Sequence, residues 1–158
     1  MHTGPTQTHQ HPAELSRYNR QTDQTITKGR TMRKPIIAAK GAKPKGPYTP
    51  AILAQGPMLF VSAQGPFNPA TGELEAKTIQ DQARQVFDNI SVLLEEAGAT
   101  WSDVVKVQIF LADFADFAAM NEVYAQYVTA PYPARTTVHS KIGAASVAAD
   151  VIAVLSNQ

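Results

Sequence analysis

Cysteine is absent from all 158 residues. That excludes disulfides, thiolate metal sites and a cysteine nucleophile. Long apolar runs are missing too, since none approaches the roughly 20 residues needed to cross a bilayer. The first 30 residues hold no apolar stretch of the kind found in a secretion signal. The expectation is therefore a soluble, cytoplasmic protein with no membrane partner. Charge is sparse, at 17% of residues and a net +1, while 44% of residues are apolar. This is the composition of one globular domain with or without a tail, and it excludes a wholly disordered or fibrous chain.

What charge there is lies unevenly. Residues 1–40 carry seven basic side chains against Glu14 and Asp23, a balance of +5, and the remaining 118 residues have a balance of −4. Residues 1–33 are rich in Thr, Gln, Arg, His and Pro and show no periodicity. Such a segment buries too little surface to offset its ordering entropy, so a disordered basic extension is expected there and a folded domain over 34–158. The extension reads either as a contact for an anionic partner or as solvated sequence ahead of a start at Met32. Its basic residues are scattered rather than clustered, and no nucleic-acid partner is expected. His2, His9 and His11 have no carboxylate or further His placed to complete a metal shell, so no metal is expected.

Patterning begins at Pro35. Ile36 to Ala39 and Ala51 to Ala54 are short apolar runs, and Met58 to Ala63 is another. The break at Gln55-Gly56-Pro57 between the latter two suggests a β-hairpin. Thr78 to Ala97 is the clearest helix. Its apolar residues Ile79, Ala83, Val86, Phe87, Ile90, Leu93, Leu94 and Ala97 recur at spacings of three and four, between a Thr78/Asp81 start and a Gly98 stop. Val104 to Leu111 alternates as a strand with one wet face. A second helix, capped by Asp113 or Asp116, runs to about Val128 with Phe117, Met120, Tyr124 and Tyr127 on its inner stripe. Thr136 to His139 and Val147 to Leu155 read as closing strands. The order implies an α+β fold, a sheet with two helices on one face. Apolar residues at Ile52, Phe60 and Val138 are left for the sheet's second face, which predicts self-association.

Candidates for chemistry are few. Asp81, Asp88, Glu95 and Glu96 fall on the wet face of the first helix, and Asp103 and Asp113 look like caps. Asp150 lies inside an apolar strand, either as an outward-facing residue or as a functional acid. His139 has no Ser or Asp in evident partnership for a triad. Arg135 follows Ala130-Pro131-Tyr132-Pro133-Ala134, whose prolines hold the approach extended. A guanidinium set by a rigid lead-in suits two-pronged capture of a carboxylate, and equally suits a structural ion pair.

Five segments in this order carry a resemblance: Gly46-Pro47-Tyr48, Phe60-Val61-Ser62-Ala63-Gln64, Asn68-Pro69-Ala70-Thr71-Gly72-Glu73, Asp116 to Tyr124, and Pro133-Ala134-Arg135-Thr136. Over roughly residues 40–155 the chain resembles the RidA (YjgF) family of enamine and imine deaminases. The resemblance implies a chorismate-mutase-like fold, a homotrimer with sites between subunits, and no cofactor. It implies hydrolysis of reactive 2-imino or 2-enamino acids, such as 2-aminoacrylate, to 2-keto acids and ammonia. Arg135 matches the arginine that binds the substrate carboxylate, and Tyr48 matches a tyrosine near the substrate and its attacking water. Ser62 and Asn121 match polar residues lining the cleft, Asn121 being expected from the neighbouring subunit.

Three positions depart from the family pattern. Ala63 replaces a glycine whose backbone N–H approaches the ligand. Thr137 replaces a cysteine, though its backbone can still donate. Ala148 aligns with a glutamate that holds the water, and Asp150 substitutes for it only if the preceding loop shifts by two residues. The expected catalytic set is Arg135, Tyr48 and Asp150, with Arg135, Ser62, Ala63, Asn121 and Thr137 binding the small carboxylate. The rival readings are a non-catalytic carboxylate-binding module and an RNA-directed nuclease or translation inhibitor. The domain's negative balance opposes the latter.

Overall fold

The computed structural model describes residues 32–42, 44–141 and 143–155. The expectation of a disordered extension over residues 1–33 lies outside the described residues except at Met32 and Arg33, which stand in a strand. In chain order the elements are β1 (Met32–Ile36), β2 (Ala51–Gln55), β3 (Met58–Gln64), α1 (Ile79–Glu96), β4 (Val104–Leu111), α2 (Phe117–Tyr127), β5 (Ala134–His139) and β6 (Val147–Val154). Strands β3-β6-β4-β5 form a mixed sheet in which β4 and β5 are parallel and the other pairs antiparallel. This is the expected α+β architecture.

Helix α1 starts where its cap chemistry dictates. Thr78 Oγ1 accepts from the Asp81 N–H at 3.1 Å, and the Thr78 hydroxyl donates to Asp81 Oδ2 at 2.7 Å. The helix ends before Gly98, whose φ of +70° is one that side-chain-bearing residues resist. Its stripe of Ala83, Val86, Phe87, Ile90 and Leu94 packs with Val61, Val107, Ile109, Val151 and Ala153 of the sheet and with Met120, Val123 and Tyr124 of α2. Phe87 is the aromatic hub: its ring centroid lies 5.9 Å from Trp101, 5.6 Å from Tyr124 and 5.2 Å from Tyr127.

Two expectations need correction. The β2–β3 hairpin does not form. Strand β2 takes its ladder from β1, with Ile52 opposite Pro35, whereas β3 takes its ladder from β6, with Met58 opposite Val154. Gly56, at φ +145°, and Pro57 redirect the chain between the two sheets, and the Pro57 carbonyl accepts from Leu155 N–H at 2.9 Å. The first strand also covers Met32–Ile36 rather than Ile36 to Ala39. It alternates exposed and half-buried residues as half of a two-stranded ribbon, which calls for alternation rather than an apolar run.

Ile52 consequently belongs to that ribbon and not to the main sheet's open face. That face carries Phe60, Ile152, Lys106 and Ala134 in one row, Asp150, Gln108 and Thr136 in the next, and Ala148, Phe110 and Val138 in the third. Phe60 is 68% exposed and Met58 52%. Apart from Lys106, the face is thus apolar at both ends with a polar row between.

Phe87→Ala should be the costliest single truncation of the core, lowering unfolding free energy by about 3–5 kcal/mol. The shift of the urea midpoint measures it. A change below about 1 kcal/mol would mean the aromatic hub is not a packing centre.

Candidate functional site

Strand parity decides where each candidate points. Arg135 pairs with Val107 of β4, a fully buried residue on the helix-facing side, so the guanidinium runs under α2. There Phe117, Asn121 and Tyr124, spaced four and three apart along one helical stripe, meet it. Arg135 Nη1 donates to Asn121 Oδ1 at 2.6 Å. Its Cζ stands 4.9 Å from the Tyr124 ring centroid, 5.6 Å from Phe117 and 5.9 Å from Tyr48. The cationic head is therefore boxed by three aromatic rings.

No carboxylate lies within ion-pair distance of Arg135 among the described residues, where the ion pair present is Arg84–Asp81. This decides against the intrachain structural ion pair. Burial lowers the Arg135 pKa, with Tyr124 and Tyr48 next to it opposing that shift, yet a guanidinium remains charged at any physiological pH. Burial likewise raises the Tyr124 phenol well above its ordinary value, partly offset by the Arg135 charge. The Tyr124 hydroxyl and Thr137 Oγ1 are buried without a hydrogen-bond partner. Thr137 lies two residues along β5, on the same side of the sheet as Arg135.

Tyr48 comes from the loop before β2. Its N–H donates to the Gly46 carbonyl at 2.8 Å, and its hydroxyl accepts from Lys45 N–H at 3.3 Å. Gly46 runs beside both partners: a Cβ there would sit 3.8 Å from Arg135 Nη2 and 3.8 Å from the Tyr48 ring. With Nη1 held by Asn121, the Nη2 side of the guanidinium is the edge nearest this loop.

The other candidates lie elsewhere. Asp150 pairs with Gln108, the residue after Val107, so it points to the opposite face of the sheet from Arg135. Within one protomer Asp150 therefore stands apart from Arg135 and Tyr48. Ala148 shares the Asp150 face, as alternation requires. Ser62 and Ala63 sit on β3, at the edge away from β5, across three strand spacings of about 4.8 Å each. The β3–β6 ladder is irregular between Val61 and Gln64, and Ser62 and Ala63 are exposed. Asn121, expected from a neighbouring subunit, instead holds Arg135 of its own chain. Phe117 and Tyr124 were legible only as core positions. Their spacing of four and three about Asn121 is the signal that assigns them to the arginine.

The family described as Endoribonuclease L-PSP matches residues 39–154. The chain belongs to this family, the RidA (YjgF) family. A RutC family protein of Pyrococcus horikoshii is 48% identical over 107 residues, covering 68% of this chain and 84% of its own length. A 2-iminobutanoate/2-iminopropanoate deaminase of Dermatophagoides farinae is 42% identical over 96 residues, covering 61% and 74% respectively. Among solved structures, E. coli TdcF with bound serine superposes with a TM-score of 0.59 at 35% identity, over 78% of this chain and 99% of that one. The RidA core is thus shared with proteins named as imine deaminases and with one holding a small carboxylate-bearing molecule.

The Asp150 carboxyl is raised from its ordinary value by burial, and the Lys106 charge opposes that shift. An NMR titration of Asp150 should place its midpoint above 3.8. Lys106→Met removes the cation that favours the carboxylate, so the midpoint should rise further. A raised native pKa favours the neutral acid, so Asp150 contributes stability at low pH that is lost as pH climbs through its titration. A midpoint at or below the ordinary value would contradict this environment.

Proposed function

We propose that this RidA-family protein hydrolyses reactive 2-imino and 2-enamino acids, such as 2-aminoacrylate, to 2-keto acids and ammonia, with no metal or organic cofactor. The observation that carries this reading is Arg135: a half-buried guanidinium, oriented by Asn121 and three aromatic rings, with no carboxylate among the described residues to neutralise it. A buried charge left in that state is suited to an external anion. The bound serine of TdcF and the deaminase name of the Dermatophagoides relative support a small 2-carboxylate substrate.

In this mechanism a 2-enamino acid first takes a proton from water at C3 to become the iminium, and the substrate carboxylate docks on the Nη2 edge of Arg135, which leaves the C=N⁺ carbon beside Tyr48. Water adds its oxygen to that carbon and releases a proton, giving a carbinolamine. A proton moves to the nitrogen, the C–N bond breaks, and the hydroxyl proton leaves as the carbonyl forms. Ammonia and the 2-keto acid result. The iminium carbon is already electrophilic, so positioning and water exclusion supply most of the acceleration. Asp150 as general base, with Ser62 and Ala63 as binding groups, enters the site only from a second copy, because one protomer holds these residues away from Arg135. The homotrimer with inter-subunit clefts that the family resemblance implies would supply that copy, with Phe60 and Met58 among the surface it would cover. A second reading, a non-catalytic carboxylate-binding module, is favoured by Ala148 and by the absence of an acid beside Arg135 among the described residues.

The test generates an imine in situ with an amino-acid oxidase and follows keto-acid release with and without the protein. Wild type should accelerate release. Arg135→Ala should lose the effect while keeping fold and assembly, and Arg135→Lys should fail nearly as badly because an ammonium cannot give two parallel bonds. Losing a charge-assisted pair of about 1.5–3 kcal/mol corresponds to roughly ten- to over a hundred-fold. Keto-acid binding through Arg135 without hydrolysis would select the binding module. Light scattering should give three times the chain mass, and a stable monomer at micromolar concentration would contradict the shared site.

A further inference from the structure

Thr49 is one of two buried polar or charged residues among those described, the other being Gln82, and it is 6% exposed. It directly follows Tyr48. Its N–H donates to the Pro133 carbonyl at 3.0 Å, and its hydroxyl donates to the Tyr132 carbonyl. Those carbonyls belong to the lead-in that delivers Arg135 two residues later. Thr49 therefore joins, through two consecutive hydrogen bonds, the loop that presents Tyr48 to the segment that presents Arg135. Strands β2 and β5 belong to different sheets, so no ladder links these two segments.

We propose that Thr49 is a positioning residue: its paired bonds to Tyr132 and Pro133 set the distance and angle between the Tyr48 ring and the Arg135 guanidinium. A buried threonine that served packing alone would do as well as valine, which has its shape without the hydroxyl. The hydroxyl here instead answers a carbonyl adjacent to the site. Without that bond, the Tyr48 loop keeps a single backbone anchor to the lead-in and can pivot about it. Its effect on ligand rests on the carboxylate-clamp reading of Arg135; its effect on the geometry of the pair does not.

The experiment compares wild type, Thr49→Val and Thr49→Ser in the full chain. One readout is the Arg135 Nε–H resonance in NMR spectra, which the surrounding rings shift. The other is affinity for 2-oxobutanoate with the rate of imine hydrolysis. Thr49→Val should move the Arg135 resonance toward that of an exposed arginine and weaken 2-oxobutanoate binding by about tenfold, while Thr49→Ser restores both. On an Arg135→Ala background, Thr49→Val should change ligand binding no further. If the resonance responds but wild type neither binds 2-oxobutanoate nor hydrolyses imine, the deaminase reading fails and the positioning role stands. If Thr49→Val leaves the Arg135 resonance in place, or moves it no differently from Thr49→Ser, the proposal is overturned whatever the activity.

Discussion

The guanidinium of Arg135 leaves bulk water without meeting an anion among the described residues, and much of the local architecture follows from that imbalance. Desolvating a charge is costly unless other groups replace the lost hydration. Here Asn121 supplies one strong acceptor, and the faces of Tyr124, Phe117 and Tyr48 supply a diffuse negative surface. Each cation–ring contact is worth about 0.5–2 kcal/mol depending on its exposure. Together they hold the charge in one orientation without neutralising it, which on our reading leaves the cation ready for a ligand that brings its own negative charge.

The sheet gives this arrangement its limits. Val107 and Gln108 are neighbours on β4, and their partners Arg135 and Asp150 must therefore face opposite ways. Strands β3 and β5 are the two edges of the four-stranded sheet, so the Ser62–Ala63 irregularity lies far from the arginine. A protomer thus presents a cationic half-site under α2 at one edge, and an acid and an interrupted backbone toward the open face. On our reading, apposition of copies through the exposed Phe60 and Met58 surface is what joins such halves. Assembly is then part of the site rather than an addition to it.

Legibility in the sequence tracked the range of the interactions involved. Helix α1 was plain because its stripe, its Thr78 cap and Gly98 are all local signals, and β4 was plain because alternation is local too. The hairpin expected around Gly56-Pro57 failed because partner choice depends on which ladder is available, and β6 is ninety residues further along the chain. Arg135 stood out through its prolines, and the family motif drew in Tyr48 and Asn121. What the motif could not convey was parity between non-adjacent strands, which removed Asp150 from the protomer's own arginine. Nor did it convey that Asn121 serves the arginine of its own chain. Thr49 was invisible because a lone threonine in a loop carries no pattern; only its two partners at Tyr132 and Pro133 mark it.

The central claim is that Arg135 is poised for a carboxylate, and the most direct measurement compares two isosteres. The Arg135 guanidinium resonances would be followed while 2-oxobutanoate, and separately the uncharged 2-oxobutanamide, is titrated into the assembled protein. The account predicts a saturable shift on Arg135 with the carboxylate and little with the amide, with the Asn121 contact kept. Equal responses to the two compounds, or none to either, would contradict it.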